Sequence, residues 1–239
     1  MDMDGTNTPT LNEIERRVLG VLLEKALAQP QYYPMTVNAI VAACNQKSNR
    51  DPVLQLDEEA IWNTLERMRA AGLISRLLPG GASRVERFKH EAKDQLGWEK
   101  PQRAIMAELL LRGPQTVGEL RTRCQRMYPF ENIDAVAAVL EGLSQGEPSW
   151  VRTLPRAPGH SAVRHAHRLY EPDERKHPGD APDEACSGPS SNHVQTAVAE
   201  DENRDVRQEL DNLQEEVAEL HESVAGLRRR LELLEQRTG

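Results

Sequence analysis

The same order of predicted helices and strands occurs twice between Leu11 and Tyr170 of this chain. Three residues of a first copy have identical counterparts at one constant spacing: Thr36, Val37 and Cys44 correspond to Thr116, Val117 and Cys124. Apolar positions of a later segment recur at a slightly shorter spacing: Leu65 and Met68 correspond to Leu140 and Leu143. The first copy therefore carries about five extra residues between its second and third helices. Self-similarity of this kind predicts two copies of one structural unit.

Each copy predicts three helices followed by a β-hairpin. The helices of the first copy are predicted at residues 11–28, 37–45 and 58–71, with caps at Thr10 (a capping box with Glu13), Thr36 and Asp57. Gly72 ends the third helix. Extended runs on either side of Pro79-Gly80-Gly81 then predict two strands joined by a turn.

The second copy repeats this order. Its helices are predicted at residues 102–113, 117–127 and 133–144, and Thr116 with Glu119 forms a second capping box. Two extended runs around Pro155–Gly159 predict the second hairpin. Three helices followed by a hairpin are typical of a winged helix. We therefore expect a mainly α chain with small β-hairpin wings (α+β), built from winged-helix units at residues 11–95 and 96–170.

Residues 171–203 differ in composition from the rest of the chain. They are rich in Pro, Gly, Ser, Asp and Glu and hold almost no large apolar side chain. Such a segment cannot bury enough surface to offset its ordering entropy. We expect a disordered acidic linker here and a disordered N-terminus at residues 1–10.

The C-terminal segment, residues 204–237, carries a strict heptad pattern. Apolar residues alternate in steps of four and three at Val206, Leu210, Leu213, Val217, Leu220, Val224, Leu227, Leu231 and Leu234. Leu at the d positions with Val sharing the a positions favours a parallel two-stranded coiled coil, so we expect the chain to dimerise with itself. A single helix docked on the winged pair, or a heterologous partner helix, are the alternatives.

Composition and charge exclude several classes of protein. Three cysteines without a C-x-x-C pair argue against a disulfide framework or a zinc module and favour the cytoplasm. The polar N-terminus is no signal peptide, and no apolar stretch is long enough to span a membrane. The net charge of −8 is uneven: residues 11–170 hold 22 Lys+Arg against 18 Asp+Glu, and residues 171–239 hold 8 against 18.

Catalytic motifs are absent from the sequence. There is no Walker loop, G-x-G-x-x-G, G-x-S-x-G or H-E-x-x-H. His160, His165 and His167 lie close together in the second hairpin, but no Cys or carboxylate joins them there. We interpret them as basic wing residues, and we predict a non-enzymatic protein without a metal or another cofactor.

If the chain binds nucleic acid, the sequence predicts that residues outside the third helices make the contacts. The third helix of the first copy begins with Asp57, Glu58 and Glu59, and that of the second copy has no basic residue, so neither suits base readout. Candidate phosphate contacts lie in the first long loop, the wings and the second helix of copy two: Lys47, Arg50, Arg84, Arg87, Lys89, Arg121, Arg123, Arg126, Arg156, Arg164 and Arg168. The alternative is that these are solvated residues or contacts between the two units.

The loop from Asn45 to Pro52 is longer than the turn of an ordinary helix-turn-helix. Its amides, with Lys47 and Arg50, could contact a ligand or backbone phosphates. The alternative is a self-capped structural loop, because Asn, Ser and Asp side chains satisfy local backbone groups.

Several long segments resemble the YceH-like family of bacterial proteins. They are ACNQKSNRDPV (residues 43–53), LLLRGPQTVGELRTRCQRM (residues 109–127) and LPRAPG (residues 154–159), together with Glu15, Arg17, Val18, Leu22, Leu23, Glu24 and Lys25 of the first helix. The resemblance covers residues 11–170 and implies a tandem winged-helix fold. It brings no catalytic or binding residues, and the linker and heptad tail depart from the short family pattern.

Two functional hypotheses follow from the sequence. The first is a dimeric DNA-associated protein whose wings and second helices contact phosphates. The second is a protein-interaction scaffold with no nucleic-acid role, which the uncharged third helix of copy two favours.

Overall fold

The computed structural model of the chain describes residues 9–78, 85–156 and 162–171. The predicted coiled coil at residues 204–237, with all its heptad positions, lies outside these ranges. So do the predicted linker beyond Glu171, residues 1–8 of the predicted N-terminal segment, the first predicted hairpin turn, and residues 157–159 of the second.

The described residues form a mixed α+β structure, mostly helical, with two small antiparallel hairpins. The first copy contains α1 (Glu13–Ala28), α2 (Val37–Cys44), α3 (Glu58–Ala70), β1 (Ile74–Leu77) and β2 (Arg87–His90). A short helix, α4 (Ala92–Leu96), leads to the second copy: α5 (Lys100–Arg112), α6 (Val117–Arg123), α7 (Ile133–Gln145), β3 (Val151–Thr153) and β4 (His165–His167). Short 3-10 turns occupy Pro30–Tyr32 and Cys124–Arg126. No helix in the described ranges is long and apolar enough to cross a membrane.

Most predicted helix caps are confirmed. The side chains of Thr36, Asp57 and Thr116 accept hydrogen bonds from the backbone N–H groups that open α2, α3 and α6. The predicted cap at Thr10 is wrong, because Asn12 caps α1 and forms the capping box with Glu15.

The start of α1 is displaced by a contact between the two copies. The backbone N–H of Leu11 donates to the carbonyl of Leu169 at 2.9 Å, and the Leu11 side chain is buried. This long-range contact holds Leu11 outside the helix. A local capping pattern cannot reveal it.

Each hairpin is extended by a one-residue β-bridge to the residue that precedes the cap of the second helix. Met35 exchanges two backbone hydrogen bonds with Phe88, at 3.1 and 2.7 Å. Gln115, the counterpart of Met35 in the second copy, does the same with His165 at 3.0 and 2.8 Å. The two copies therefore share backbone pairing as well as the order of their elements.

A buried histidine marks the end of both hairpins. The Nδ1 atom of His90 accepts from the Ala92 N–H at 3.3 Å, and Nδ1 of His167 accepts from the Leu169 N–H at 3.2 Å. Both side chains are at least nine-tenths buried. Burial lowers the pKa of His90 to about 4, so this ring is neutral at pH 7.

The first helix of each copy forms the centre of the molecule. In α1 every residue from Arg16 to Leu23 is buried. In α5 every residue from Ala104 to Leu111 is buried. A helix enclosed on all sides indicates a position inside a core. These two helices make the largest contact between elements of the described structure.

Gly20 lies where α1 approaches α5 most closely. A Cβ atom at this position would lie 2.9 Å from Cγ and Cδ2 of Leu111 and 3.1 Å from Cβ of Leu110. Leu111 is itself buried, so its side chain has little room to move. The absence of a side chain at Gly20 therefore permits the close approach of the two helices.

We predict opposite effects of Ala at two helical glycines. Gly142 in α7 has open space around it, so Gly142→Ala should raise the free energy of unfolding by about 1 kcal/mol through helix propensity. At Gly20 the added methyl group overpacks the helix contact, which costs about 1–3 kcal/mol. Gly20→Ala should therefore be the less stable variant in urea unfolding followed by tryptophan fluorescence. Equal stability of the two variants would contradict the assigned role of Gly20.

Candidate interaction surfaces

Basic residues of the first hairpin already have partners within the chain. The Arg87 guanidinium donates to the Pro34 carbonyl at 2.8 Å. The Lys89 ammonium lies 2.9 Å from the Glu91 carboxylate. Arg84 lies outside the described residues. The positive charge predicted for this wing is thus partly offset by neighbouring groups.

Arg50 is a structural residue of the loop between α2 and α3. Its side chain is buried and pairs with the Glu24 carboxylate at 2.6 Å. It also donates to the carbonyls of Ala43 at 3.0 Å and Asn49 at 2.8 Å. These contacts occupy the guanidinium, so we leave Arg50 out of any phosphate-binding surface. Lys47 of the same loop is exposed.

The side chain of Asn45 holds the two ends of this loop together. Its side-chain amide donates to the Leu56 carbonyl at 2.8 Å and accepts from the Leu56 N–H at 2.8 Å. The loop also reaches the second copy, because the Asp51 N–H donates to the Leu111 carbonyl at 2.8 Å. This geometry favours the structural alternative for the loop and adds a role as a bridge between the copies.

Two candidate arginines of the second copy surround one carboxylate. The Arg164 guanidinium lies 3.1 Å from Glu119, and Arg123 donates to Gln115 at 2.9 Å with Glu119 at 4.0 Å. Burial raises the pKa of Glu119, but hydrogen bonds from Thr116 and the charges of Arg164 and Arg123 outweigh it and leave the pKa below its usual value. The carboxylate is therefore ionised at pH 7 and offsets part of their charge.

The remaining candidate cations of copy two are exposed. Arg121 donates to the Glu131 carbonyl at 3.2 Å, and Arg168 lies 3.4 Å from the Ser149 hydroxyl. Arg126 and Arg156 are exposed as well. Within the described ranges, none of these four arginines forms an ion pair with a carboxylate.

The N-terminal halves of the third helices carry exposed acidic side chains and no exposed basic ones. On α3 the exposed first turn carries Glu58 and Glu59. On α7 the exposed residues include Asp134, Ala137, Ala138 and Glu141. Neither helix exposes a basic side chain in its N-terminal half, where major-groove readers usually meet the bases.

Exposed apolar side chains concentrate on α3 and the first hairpin. Of the seven large hydrophobic residues exposed in the described ranges, four lie there: Trp62, Leu77, Leu78 and Val85. Leu78 is 67% and Val85 is 57% exposed, and Trp62 meets the buried Phe88 of β2 edge to face. We name these four residues the apolar hairpin surface.

A cavity of about 520 Å³ lies between the two copies. The start of α1 contributes Glu13, Arg16 and Arg17, and the α2–α3 loop contributes Asp51 and Pro52. We name this cavity the inter-copy pocket.

The opposite walls of the inter-copy pocket come from the second copy. The end of α5, from Leu109 to Pro114, provides apolar side chains and Arg112. The second hairpin adds Leu154 and Arg164, and Tyr170 completes the wall. The Arg16 guanidinium stacks 4.7 Å above the Tyr170 ring.

The sequence did not reveal this pocket, because its walls come from four separate segments. One local signal was present: Arg16 and Arg17 directly precede the apolar residues 18–23 of the same helix, and all of these residues are buried. Charged residues enclosed in a core require partners, and such a pair in a core helix marks a polar site or a polar interface.

The matching cysteines of the two copies are core residues. Cys44 and Cys124 are fully buried free thiols. Burial raises the pKa of Cys44 to about 12 and raises that of Cys124 as well. Both thiols are therefore uncharged at pH 7 and poor nucleophiles.

Comparison with known proteins places the described residues within one family. A family model described as "Protein of unknown function, DUF480" matches residues 11–160. A UPF0502 protein of Geotalea daltonii is 51% identical over 157 residues, which cover 66% of this chain and 71% of the relative. The UPF0502 protein GSU0233 of Geobacter sulfurreducens is 46% identical over 177 residues, covering 74% and 80% of the two chains.

Some relatives also match the C-terminal part of the chain. A UPF0502 protein of Pelobacter propionicus is 42% identical over 222 residues, covering 92% of this chain and 94% of the relative. Because residues 171–239 make up more than a quarter of the chain, this match must extend well into them. The expectation that the linker and tail depart from the family pattern is therefore wrong for this relative.

The fold and surfaces define a mixed α+β protein with two internal copies of one helix–hairpin unit and a cavity between them. The chain belongs to the DUF480 family, and it is similar to the UPF0502 proteins of bacteria over most of its length.

Proposed function

We propose that this chain is a non-enzymatic adaptor made of two winged-helix units, which binds a protein partner and is dimerised by its C-terminal coil. The observation that carries the proposal is the apolar hairpin surface of the first unit. Exposed apolar residues that cluster on one region are typical of protein-binding sites.

The charges around this surface also favour a protein partner over DNA. Arg76 of β1 lies 3.5 Å from Glu66 and 3.7 Å from Glu86, and Arg69 of α3 pairs with Glu66 at 2.7 Å. A polyanion would have to compete with these carboxylates for each cation. A protein partner can bury the apolar side chains and leave the ion pairs in place.

We predict that serine substitutions in the apolar hairpin surface abolish partner capture. The double variant Leu78→Ser/Val85→Ser should fold normally, because both side chains are exposed, and should lose a partner that the unmodified chain recovers. The measurement is affinity capture from nuclease-treated Geobacter sulfurreducens lysate, since that bacterium carries a relative with 46% identity.

The matched control is Val53→Ser/Ile133→Ser, which removes two similarly exposed apolar residues elsewhere. This control should retain the partner. Equal capture by both double variants would exclude the apolar hairpin surface as the docking site.

DNA association through the second unit is the other candidate function. It is favoured by Arg121, Arg126, Arg156 and Arg168, which are exposed and free of ion pairs within the described ranges. In a winged helix these positions flank the third helix, where the phosphate backbone would run.

The test is binding of the full chain to random duplex DNA between about 50 and 200 mM salt, where phosphate contacts must weaken as salt rises. The variant Arg121→Gln/Arg126→Gln should bind more weakly, with a smaller salt dependence. Lys93→Gln, at an exposed cation of α4, serves as the control. DNA binding that is absent, or insensitive to salt, would eliminate this candidate.

Dimerisation is proposed from the heptads alone. Lys at Leu220 and Leu227 would place charges in the apolar seam of a coiled coil. The variant Leu220→Lys/Leu227→Lys should sediment as a monomer with an unchanged circular dichroism signal from the winged units. A mass equal to that of the unmodified chain would refute the coiled-coil dimer.

A further inference from the structure

The geometry points to a ligand site in the inter-copy pocket for a small organic anion, one that carries a carboxylate or phosphate group on an apolar ring or chain. This inference is independent of the proposed adaptor role. It rests on the charge of one buried arginine, the character of the walls and the volume of the cavity.

Arg17 is the main anchor of this site. Its side chain lines the pocket and the residue is only 2% exposed, yet it forms no ion pair with a carboxylate among the described residues. Its guanidinium donates to the carbonyls of Cys44 at 3.0 Å and Pro52. An arginine has five N–H groups, so these two bonds leave donors for a ligand oxygen. Burial and the nearby Arg50 lower the pKa of Arg17, which indicates that positive charge is poorly compensated there.

Two further arginines line the opposite side of the same pocket. Arg112, near the end of α5, lies 3.5 Å from the Glu108 carboxylate. Arg164 of the second hairpin donates to the Pro114 carbonyl at 2.8 Å in addition to its pairing with Glu119. Guanidinium groups from three separate segments therefore converge on one cavity, an arrangement suited to oxyanion recognition.

The remaining residues of the pocket wall favour a ligand whose larger part is apolar. Leu109, Leu110, Pro114 and Leu154 line the wall together with Tyr170. A volume of about 520 Å³ falls in the range of pockets that hold small organic ligands. An inorganic ion would leave most of this apolar wall in contact with water, whereas an amphipathic anion would cover it.

Glu13 and Asp51 also line the pocket, and they restrict the ligand charge. Both carboxylates are exposed, and both stabilise the charged form of Arg17 from the solvent side. A ligand with a single anionic group can reach the arginines and keep its apolar end away from these carboxylates. Highly charged anions would meet repulsion at this entrance.

The experiment is calorimetric titration of the full chain with phenyl phosphate and benzoate, beside inorganic phosphate and the neutral benzyl alcohol. At least one of the two aromatic anions should bind, and it should also raise the Tm. Inorganic phosphate and benzyl alcohol should bind at least about tenfold more weakly, because the first lacks the apolar ring and the second lacks the anionic group. The stronger of the two aromatic anions identifies the preferred oxyanion.

Variants locate the binding in the inter-copy pocket. Arg164→Gln and Arg112→Gln should each weaken binding about fivefold or more, the loss expected for one charge-assisted hydrogen bond. Arg17→Lys should weaken it further, and circular dichroism shows whether this buried variant still folds. Arg126→Gln, at an exposed arginine outside the pocket, should leave the affinity unchanged.

Two results would overturn the site. One is the absence of binding by both aromatic anions up to about 10 mM, a concentration at which even weak specific sites fill. The other is binding with equal affinity to the unmodified chain, Arg164→Gln and Arg112→Gln. Neither result bears on capture by the apolar hairpin surface, so the two proposals are tested separately.

Discussion

The close contact between α1 and α5 is the constraint on which the described structure depends. Gly20 allows the helices to approach, and the side chains of Leu110 and Leu111 fill the space that its missing Cβ leaves. Because both helices are buried on all sides, each copy completes its core only by packing against the other. The two units therefore form one cooperative core, and the pocket between them has walls that are held in place from both sides.

The features that the sequence predicts well are those set by interactions between residues close in the chain. Thr36, Asp57 and Thr116 cap helices as expected, since a cap depends only on residues three positions apart. The failure at Thr10 has a different cause: a second capping box, Asn12 with Glu15, overlaps the predicted one, and the long-range hydrogen bond from Leu11 to Leu169 that accompanies it has no local pattern. The β-bridges that begin the two small sheets escaped prediction for the same reason, because a single paired residue leaves no alternating pattern.

Charge was the least predictable property of the candidate surfaces. Composition gives a net positive charge for residues 11–170, but function depends on which cations remain available after folding. Arg50 pairs with Glu24, which lies 26 residues away, and Arg164 pairs with Glu119, which lies 45 residues away. These partners lie on other elements, so a count of arginines on hairpins and helices overestimates the charge that a polyanion would meet.

The extra residues of the first copy form part of the inter-copy pocket. The longer α2–α3 connection lets Asp51 reach the Leu111 carbonyl and brings Pro52 against Arg17. In the second copy, α6 and α7 are joined by a shorter segment, which cannot extend across α1 in the same way. The insertion therefore breaks the equivalence of the copies, and the inter-copy pocket is asymmetric. A difference in loop length, rather than a change in either core, thus supplies one wall of the proposed ligand site.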